Sequence, residues 1–474
     1  MNNQKQLYTE NKLNEYGIFQ LREIARSVGV HLPTTFNKED LIKKILQVVN
    51  GEIEPFVPKN KKGRPPKNFV GYESSWKKQE LGEENTIKAV SSWEQGNWLK
   101  NNNAEVEQWA SELKVCMDKE QNDLEINPNF NKGEATVEGV LFIEPNGWGT
   151  LHIGGMQKLL EGAVAIVAPK LVEYYNLQTG DYILGSFSEC EQTKLLNNVI
   201  LLNGKEPEKK KRTSFNDLTI SASNNVIPLW QNKKLLWTKY LCPIGKGQRV
   251  LVRGEKGSGK TKLLKALSFS LDANNVHTIF VALNKRPEDK IDYSDSNVEY
   301  GFSSFDMIPF RQMYLMDLAI AHAKRLCEMG KDVALIVDDL WSVIQAYDYC
   351  LPKSNSDKEN IFDVNSIVAL KKLMAIGRNT EKGSITLIGC IGLGRSEEEK
   401  RLVYEIDDLC NSHIELNKQL FLGQFSCFVT PNSWTDNAYA LSSKEDFNIG
   451  QSIRASAEGK NLVEISKIYE KYFP

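Results

Sequence analysis

Residues 250–271 read V-L-V-R-G-E-K-G-S-G-K-T-K-L-L-K-A-L-S-F-S-L. An apolar, β-branched run leads into Gly254-Glu255-Lys256-Gly257-Ser258-Gly259-Lys260-Thr261, and a helical pattern beginning near Lys262 follows. The octet fits G-x-x-x-x-G-K-[ST] in its required setting, after a strand and before a helix. Glycines let backbone N–H groups close around phosphate oxygens, and the helix N-terminus adds positive potential. Lys260 is expected to reach the β- and γ-phosphates of ATP, and Thr261 to hold Mg²⁺. The competing reading is a plain Gly-rich turn.

Outward from this stretch, the chain alternates apolar runs with helical patterns. TIFVALN, VALIVDD and ITLIGCIGL are strand-like, while KLLKALSFSL and MYLMDLAIAHAKRLCEMG have helical spacing. Continuous apolar strands separated by helices predict a multidomain α/β chain with a parallel-sheet P-loop domain over residues 215–440. The strand Val333–Val337 ends at Asp338 and Asp339. An acidic residue there is what a Mg²⁺ site beside a P-loop requires, so Asp338 is the candidate. The alternative is a helix N-cap after a strand.

Upstream, residues 136–204 carry five short strand-like runs: TVEGVLFIE, GTLHIGG, VAIVAP, DYILGSF and NNVILLNG. Turn residues separate them, which predicts a small β-barrel with the OB type as first choice. Residues 1–50 read as a small helical unit, with Asn37 capping NKEDLIKKILQVVNG. Residues 51–135 read as a polar, basic linker that is expected to be flexible. Within it Gly63-Arg64-Pro65-Pro66-Lys67 resembles a minor-groove A·T-binding core, with Arg64 and Lys67 as DNA or phosphate contacts. The plainer alternative is a solvated basic linker. Residues 441–474 read as a more polar tail ending in a helix, NLVEISKIYEKYF.

Composition narrows the class. The chain has 474 residues, with 41% hydrophobic and 25% charged, so wholesale disorder is excluded. The formal charge of −2 excludes a basic nucleic-acid coat. No run approaches a membrane span, and the first residues lack the apolar core of a secretory signal. Eight cysteines are scattered with no C-x-x-C pair, so a reducing cytoplasm is the expected location.

The order of these parts resembles the Rho family of bacterial transcription termination factors, across residues 13–440. PIGKGQRVLVRGEKGSGKT (Pro243–Thr261) is similar to the family's lead-in strand and P-loop. AHAKRLCEMGKDVALIVDDLWSVIQAYD is similar to its Walker B segment. DVNSIVALKKLMAIGRN and GSITLIGCIGLGRSEEE are similar to the segments carrying two channel loops, and GVLFIEPNGWGTLHIGG to its cold-shock-type OB domain. The resemblance implies a homohexameric ring that captures single-stranded RNA, hydrolyses ATP between subunits and releases RNA polymerase. It implies that Trp148 stacks a base, with Thr150 and His152 at neighbouring RNA-contact positions. Core packing is the alternative for Trp148. It further implies that Lys371, Lys372 and Arg395, with Lys382, supply channel charge.

The departures from the family pattern fall on the chemistry. Where the family has a water-activating glutamate, this chain has Lys285 in Asn284-Lys285-Arg286-Pro287-Glu288-Asp289, leaving Glu288 as the candidate substitute. An ammonium cannot accept the proton of an attacking water. No arginine lies between Arg401 and Arg454, where the family carries its arginine finger, and Lys418 is the cation nearest that place. Ser342 and Gln345 stand where the family has arginines. The reading that follows is an RNA-dependent ATPase and translocase of the Rho type. Its alternatives are a diverged relative that binds ATP and nucleic acid with little turnover, and a RecA-type ring ATPase acting on DNA.

Overall fold

A computed structural model describes residues 13, 21, 25, 30, 37–49, 135–144, 146–160, 163–190, 193–207, 212–222, 225–293, 298–351, 362–393, 397–422 and 428–473. The chain divides into two compact units, Met1–Ser91 and Ser92–Pro474. In the first, helix α1 (Lys38–Val49) starts where the sequence predicts. Asn37 Oδ1 accepts from the Asp40 N–H at 2.9 Å. Its stripe of Leu41, Ile42 and Ile45 is buried with Leu13, Leu21 and Ala25. Arg64 and Lys67 lie outside the described residues, as does nearly all of 51–135.

The second unit begins with a closed five-stranded barrel. Its strands are β1 (Thr136–Ile143), β2 (Gly149–Ile153), β3 (Val164–Val167), β4 (Tyr182–Cys190) and β5 (Thr193–Leu202). They close in the order β1-β2-β3-β5-β4, and only β3 and β5 pair in parallel. Helix α2 (Pro169–Tyr174) connects β3 to β4, with proline in its first turn. Alternate residues point inward, and Val137, Leu141, Leu151, Val167, Ile183 and Leu196 fill the interior.

A nine-stranded sheet follows. Its strands are β6 (Ile220–Ser221), β7 (Arg249–Gly254), β8 (His277–Lys285), β9 (Glu299–Ser304), β10 (Asp332–Asp338), β11 (Arg378–Thr380), β12 (Ser384–Gly392), β13 (Ser412–Leu416) and β14 (Trp434–Thr435). The main path runs β14-β13-β7-β12-β10-β8-β9, and the five central pairings from β13 to β9 are parallel. Parallel pairing puts the C-terminal ends of these strands along one edge, where ligands bind in open α/β sheets.

Both faces of the sheet are covered, which is why its strands read as unbroken apolar runs. On β10, Val333, Leu335 and Val337 enter one core with helices α4 (Pro309–Glu328), α5 (Leu340–Cys350) and α6 (Val364–Met374). The alternating Ala334 and Ile336 enter the other, with helix α3 (Lys260–Ala273). Helix α7 (Glu397–Asp407) and the short α8 (Lys418–Leu422) flank β13 in sequence.

The end of the chain is more than a polar tail with one helix. Two helices, α9 (Lys444–Ala457) and α10 (Leu462–Tyr472), bury Ile453, Ala457, Ile465 and Tyr469 in the second core. Asn461 and Glu464 form a reciprocal capping box at the start of α10. The Tyr469 hydroxyl donates to the Val429 carbonyl at 2.7 Å. Among the described residues no helix is long and apolar enough to cross a membrane.

Candidate nucleotide site

β7 delivers Gly254 to the ligand edge of the sheet, and the chain turns tightly into α3. Gly257 has φ +82° and Gly259, the N-cap, has φ +86°. L side chains are strained in that region, so the two glycines let the loop turn without that cost, and the Ser258 N–H donates to the Glu255 carbonyl at 3.1 Å. Ser258 is buried, and its Oγ has no hydrogen-bond partner. Glu255, Lys256 and Lys262 are exposed on the rim. A helix N-terminus with no side-chain cap, a glycine loop and an orphaned hydroxyl suit a polyphosphate.

Lys260 lies across this loop, its Nζ donating to the carbonyls of Gly254 at 2.8 Å and Glu255 at 2.9 Å. Lys418 reaches the same loop from α8. A Cβ added at Gly257 would stand 3.6 Å from Lys418 Cε. β13 pairs beside β7 with Leu416 opposite Gly254, which explains the approach. The sequence does not reveal this contact, because the two residues are far apart in the chain.

Asp338 closes the other side. It ends β10, is 2% exposed, and accepts from the Thr261 hydroxyl at 2.8 Å through Oδ2. The two residues that the sequence assigns to Mg²⁺ are therefore together. Asp339 does the other job considered for this pair: its carboxylate accepts from the Ser342 N–H at 2.8 Å and caps α5. Ser342 is buried there, while Gln345 is exposed.

The other oxygen of Asp338 is already engaged. Lys285, at the end of β8, places Nζ 2.8 Å from Asp338 Oδ1. Cys390 of β12 donates its thiol to the same oxygen at 3.0 Å. Burial alone would lower the Lys285 ammonium, but the charge and hydrogen bond of Asp338 hold it above the ordinary lysine value. Burial and the carboxylates beside it likewise hold the Cys390 thiol well above its ordinary value. Thr261 and Asp338 suit a nucleotide-bound Mg²⁺, with Lys285 as a fixed cation already on one carboxylate oxygen. Glu288 is exposed on the 3-10 turn Pro287–Tyr293 that follows β8.

The barrel residues require a correction. Trp148, Thr150 and His152 are expected to face a nucleic acid, yet all three are buried, Trp148 with 5% exposure. Trp148 closes the β1–β2 turn, its carbonyl accepting from the Glu144 N–H at 2.7 Å, and it packs with Ile166, Ala168 and Leu195. His152 Nε2 lies 2.6 Å from the Tyr314 hydroxyl of α4, and burial pushes the imidazole down to about 4. For His152 the physical reason is that the barrel seats against α4 there, whereas Trp148 is packed by residues of the barrel itself. Val140, Met156 and Leu159 enter the same core as α4. Glu144, at the end of β1, is pushed up to about 7 by burial.

Lys371 and Lys372 are exposed on α6, and Lys371 forms an ion pair with Glu405 of α7. Lys382 is exposed as well, and Arg395 lies outside the described residues.

Comparison with known proteins agrees with this geometry. Residues 238–426 match the model of the ATP synthase alpha/beta family, nucleotide-binding domain. The transcription termination factor Rho of Chromobacterium violaceum is 28% identical over 313 residues, covering 61% of this chain and 73% of that protein. The factor of Thermotoga maritima is 28% identical over 295 residues, covering 60% and 69%. That of Streptomyces coelicolor is 30% identical over 270 residues, covering 55% and 64%. The chain carries a P-loop nucleotide-binding domain of the RecA type, and Rho proteins are among its relatives.

Proposed function

We propose that this chain is a Rho-like ring protein that binds ATP and single-stranded RNA and turns ATP over slowly. The observation that carries the slow turnover is the ion pair between Lys285 and Asp338. Hydrolysis needs a group that accepts a proton from the attacking water. The side chain closest to that task in the sequence pattern is Lys285, held charged and donor-only by its partner. Binding needs less, and the glycine loop, the amides at the α3 N-terminus, Lys260 and Thr261 support that part of the reading.

When bound with the nucleotide, Mg²⁺ would neutralise phosphate charge, with Thr261 as the protein oxygen and Asp338 behind it. Lys260 would hold the phosphates, and Lys418 would add positive potential from the side. Glu288 is the remaining candidate acceptor on this edge.

By likeness to its relatives, the chain would assemble as a homohexamer and act on nascent RNA near RNA polymerase. Lys371 and Lys372 on α6, with Arg395, are the proposed RNA contacts. The barrel would meet RNA through a face other than that of Trp148 and His152. The GRPPK segment, through Arg64 and Lys67, would add a phosphate or DNA contact.

The experiment is ATP binding and ATP hydrolysis by the purified chain, each with and without single-stranded poly(C) RNA. The proposal expects saturable ATP binding with turnover near background in both conditions. Turnover strongly stimulated by RNA would instead establish an RNA-dependent ATPase and overturn the slow-turnover reading.

A further inference from the structure

We propose that His277, Glu299 and His322 form a binding site for a divalent transition-metal ion of the zinc class. The three residues lie at the edge of the sheet opposite the nucleotide loop. His277 is the first residue of β8 and Glu299 the first of β9. These strands are parallel neighbours with Glu299 opposite Ile279, so His277 lies two residues before that pair, on the same face of β8 as Ile279. His322 comes from α4, which packs over them.

The donor atoms converge. His277 Nε2 is 2.7 Å from Glu299 Oε1, and His322 Nε2 is 3.3 Å from Glu299 Oε2. One ligand atom from each residue lies within 4.8 Å of the other two. The tautomer of His322 is fixed by its other nitrogen. Nδ1 lies 2.7 Å from the Gly180 carbonyl, which can only accept, so Nδ1 carries the proton. In the neutral ring Nε2 would present a lone pair, buried without a hydrogen bond, to a carboxylate oxygen. Lone pair against carboxylate is repulsive, so the site calls for a cation there, either a proton, which Glu299 favours against burial, or a metal ion.

The set of groups favours a metal as that cation. Two imidazoles and a carboxylate are the donor set of open zinc sites, in which water takes the remaining position. The imidazole-to-carbonyl hydrogen bond of His322 is the outer support that metal-binding histidines ordinarily have. His322 is 1% exposed, while His277 and Glu299 keep 30% and 26%, so solvent reaches the open side. Asp181 is not a competing ligand, because Arg212 engages both of its oxygens, at 2.7 and 2.8 Å.

The site would tie together β8, β9 and α4, and through Gly180 the barrel. Gly180 is required for that approach: a Cβ there would stand 2.3 Å from the Ala321 backbone carbon.

The test uses the full chain, stripped with a chelator and dialysed. Co²⁺ is titrated by calorimetry and by its visible absorption, and Zn²⁺ is then added as a competitor. The expected result is one Co²⁺ per chain with a four-coordinate spectrum, displaced by Zn²⁺, and a thermal midpoint raised by Zn²⁺. His277→Gln, at a partly exposed position, should weaken Co²⁺ binding by at least ~100-fold. Its ATP affinity should be unchanged, which shows that the variant is folded. Absence of stoichiometric binding would overturn the proposal and leave a proton-bridged ion pair. Binding that survives in His277→Gln would overturn it as well.

Discussion

The nucleotide loop and the barrel were equally easy to find in the sequence, yet only the loop's side chains stand where their pattern suggests. In the loop, each role follows from neighbours a few residues away. Gly254 ends a strand, Gly259 caps a helix, and Lys260 and Thr261 occupy its first turn. In the barrel, a side chain's role depends on what packs against it from elsewhere. Tyr314 of α4 follows His152 by 162 positions, and nothing near His152 announces it.

The largest effect that would break this contrast belongs to Trp148. With its ring buried, Trp148→Ala should cost about 3–5 kcal/mol of stability, read as a lower denaturant midpoint. A stable variant with weakened RNA binding would place the ring on an RNA-facing surface instead.

The next largest sharpens the other side. Lys260→Ala should weaken ATP binding by about 2–3 kcal/mol, roughly 30–150-fold, through loss of charge-assisted hydrogen bonds. Titration of a fluorescent ATP analogue measures it. Unchanged affinity would mean that this loop does not hold phosphate.

A third effect, on the order of 2 kcal/mol, tests the seating of the barrel. Glu144 has its folded value raised to about 7 from 4.5. The folded state therefore holds the proton more tightly, and the contribution is full below pH ~4.5 and lost as pH rises through ~7. Glu144→Gln should remove that slope and be the more stable protein at pH 8. Denaturant midpoints across pH 4.5–8 decide it, and an unchanged slope would mean that Glu144 is solvated. The smallest effect is that of Lys418→Ala, under ~1 kcal/mol on ATP affinity because the lysine is partly solvated. A loss as large as that of Lys260→Ala would make Lys418 a principal phosphate ligand.

The parallel sheet was legible because both its faces are buried, so strands such as Val333–Val337 appear as unbroken apolar runs. The barrel was legible through its evenly spaced short strands and turn residues. Helix α9 was not, because its buried positions are few and its mean composition is polar. Within the site, Thr261 and Asp338 could be assigned because the motif and the strand end specify them. The carboxylate's second partner was hidden: the position of Lys285 marks a missing acid, but only the fold shows its ammonium on Asp338. Cys390 reaches the site from β12 and Lys418 from α8, and nothing beside either residue in the sequence announces that contact.

In the proposed function, Lys285 holds the site in a binding-competent, slow-turnover state. The most direct test of that role compares ATP turnover of the wild-type chain with that of Lys285→Glu, with ATP binding measured on both. Near-background turnover is expected for the wild type, and for the variant a rise of about 100-fold, the low end for a positioned general base. A wild type that hydrolyses ATP briskly, and loses that activity in Lys285→Glu, would contradict it.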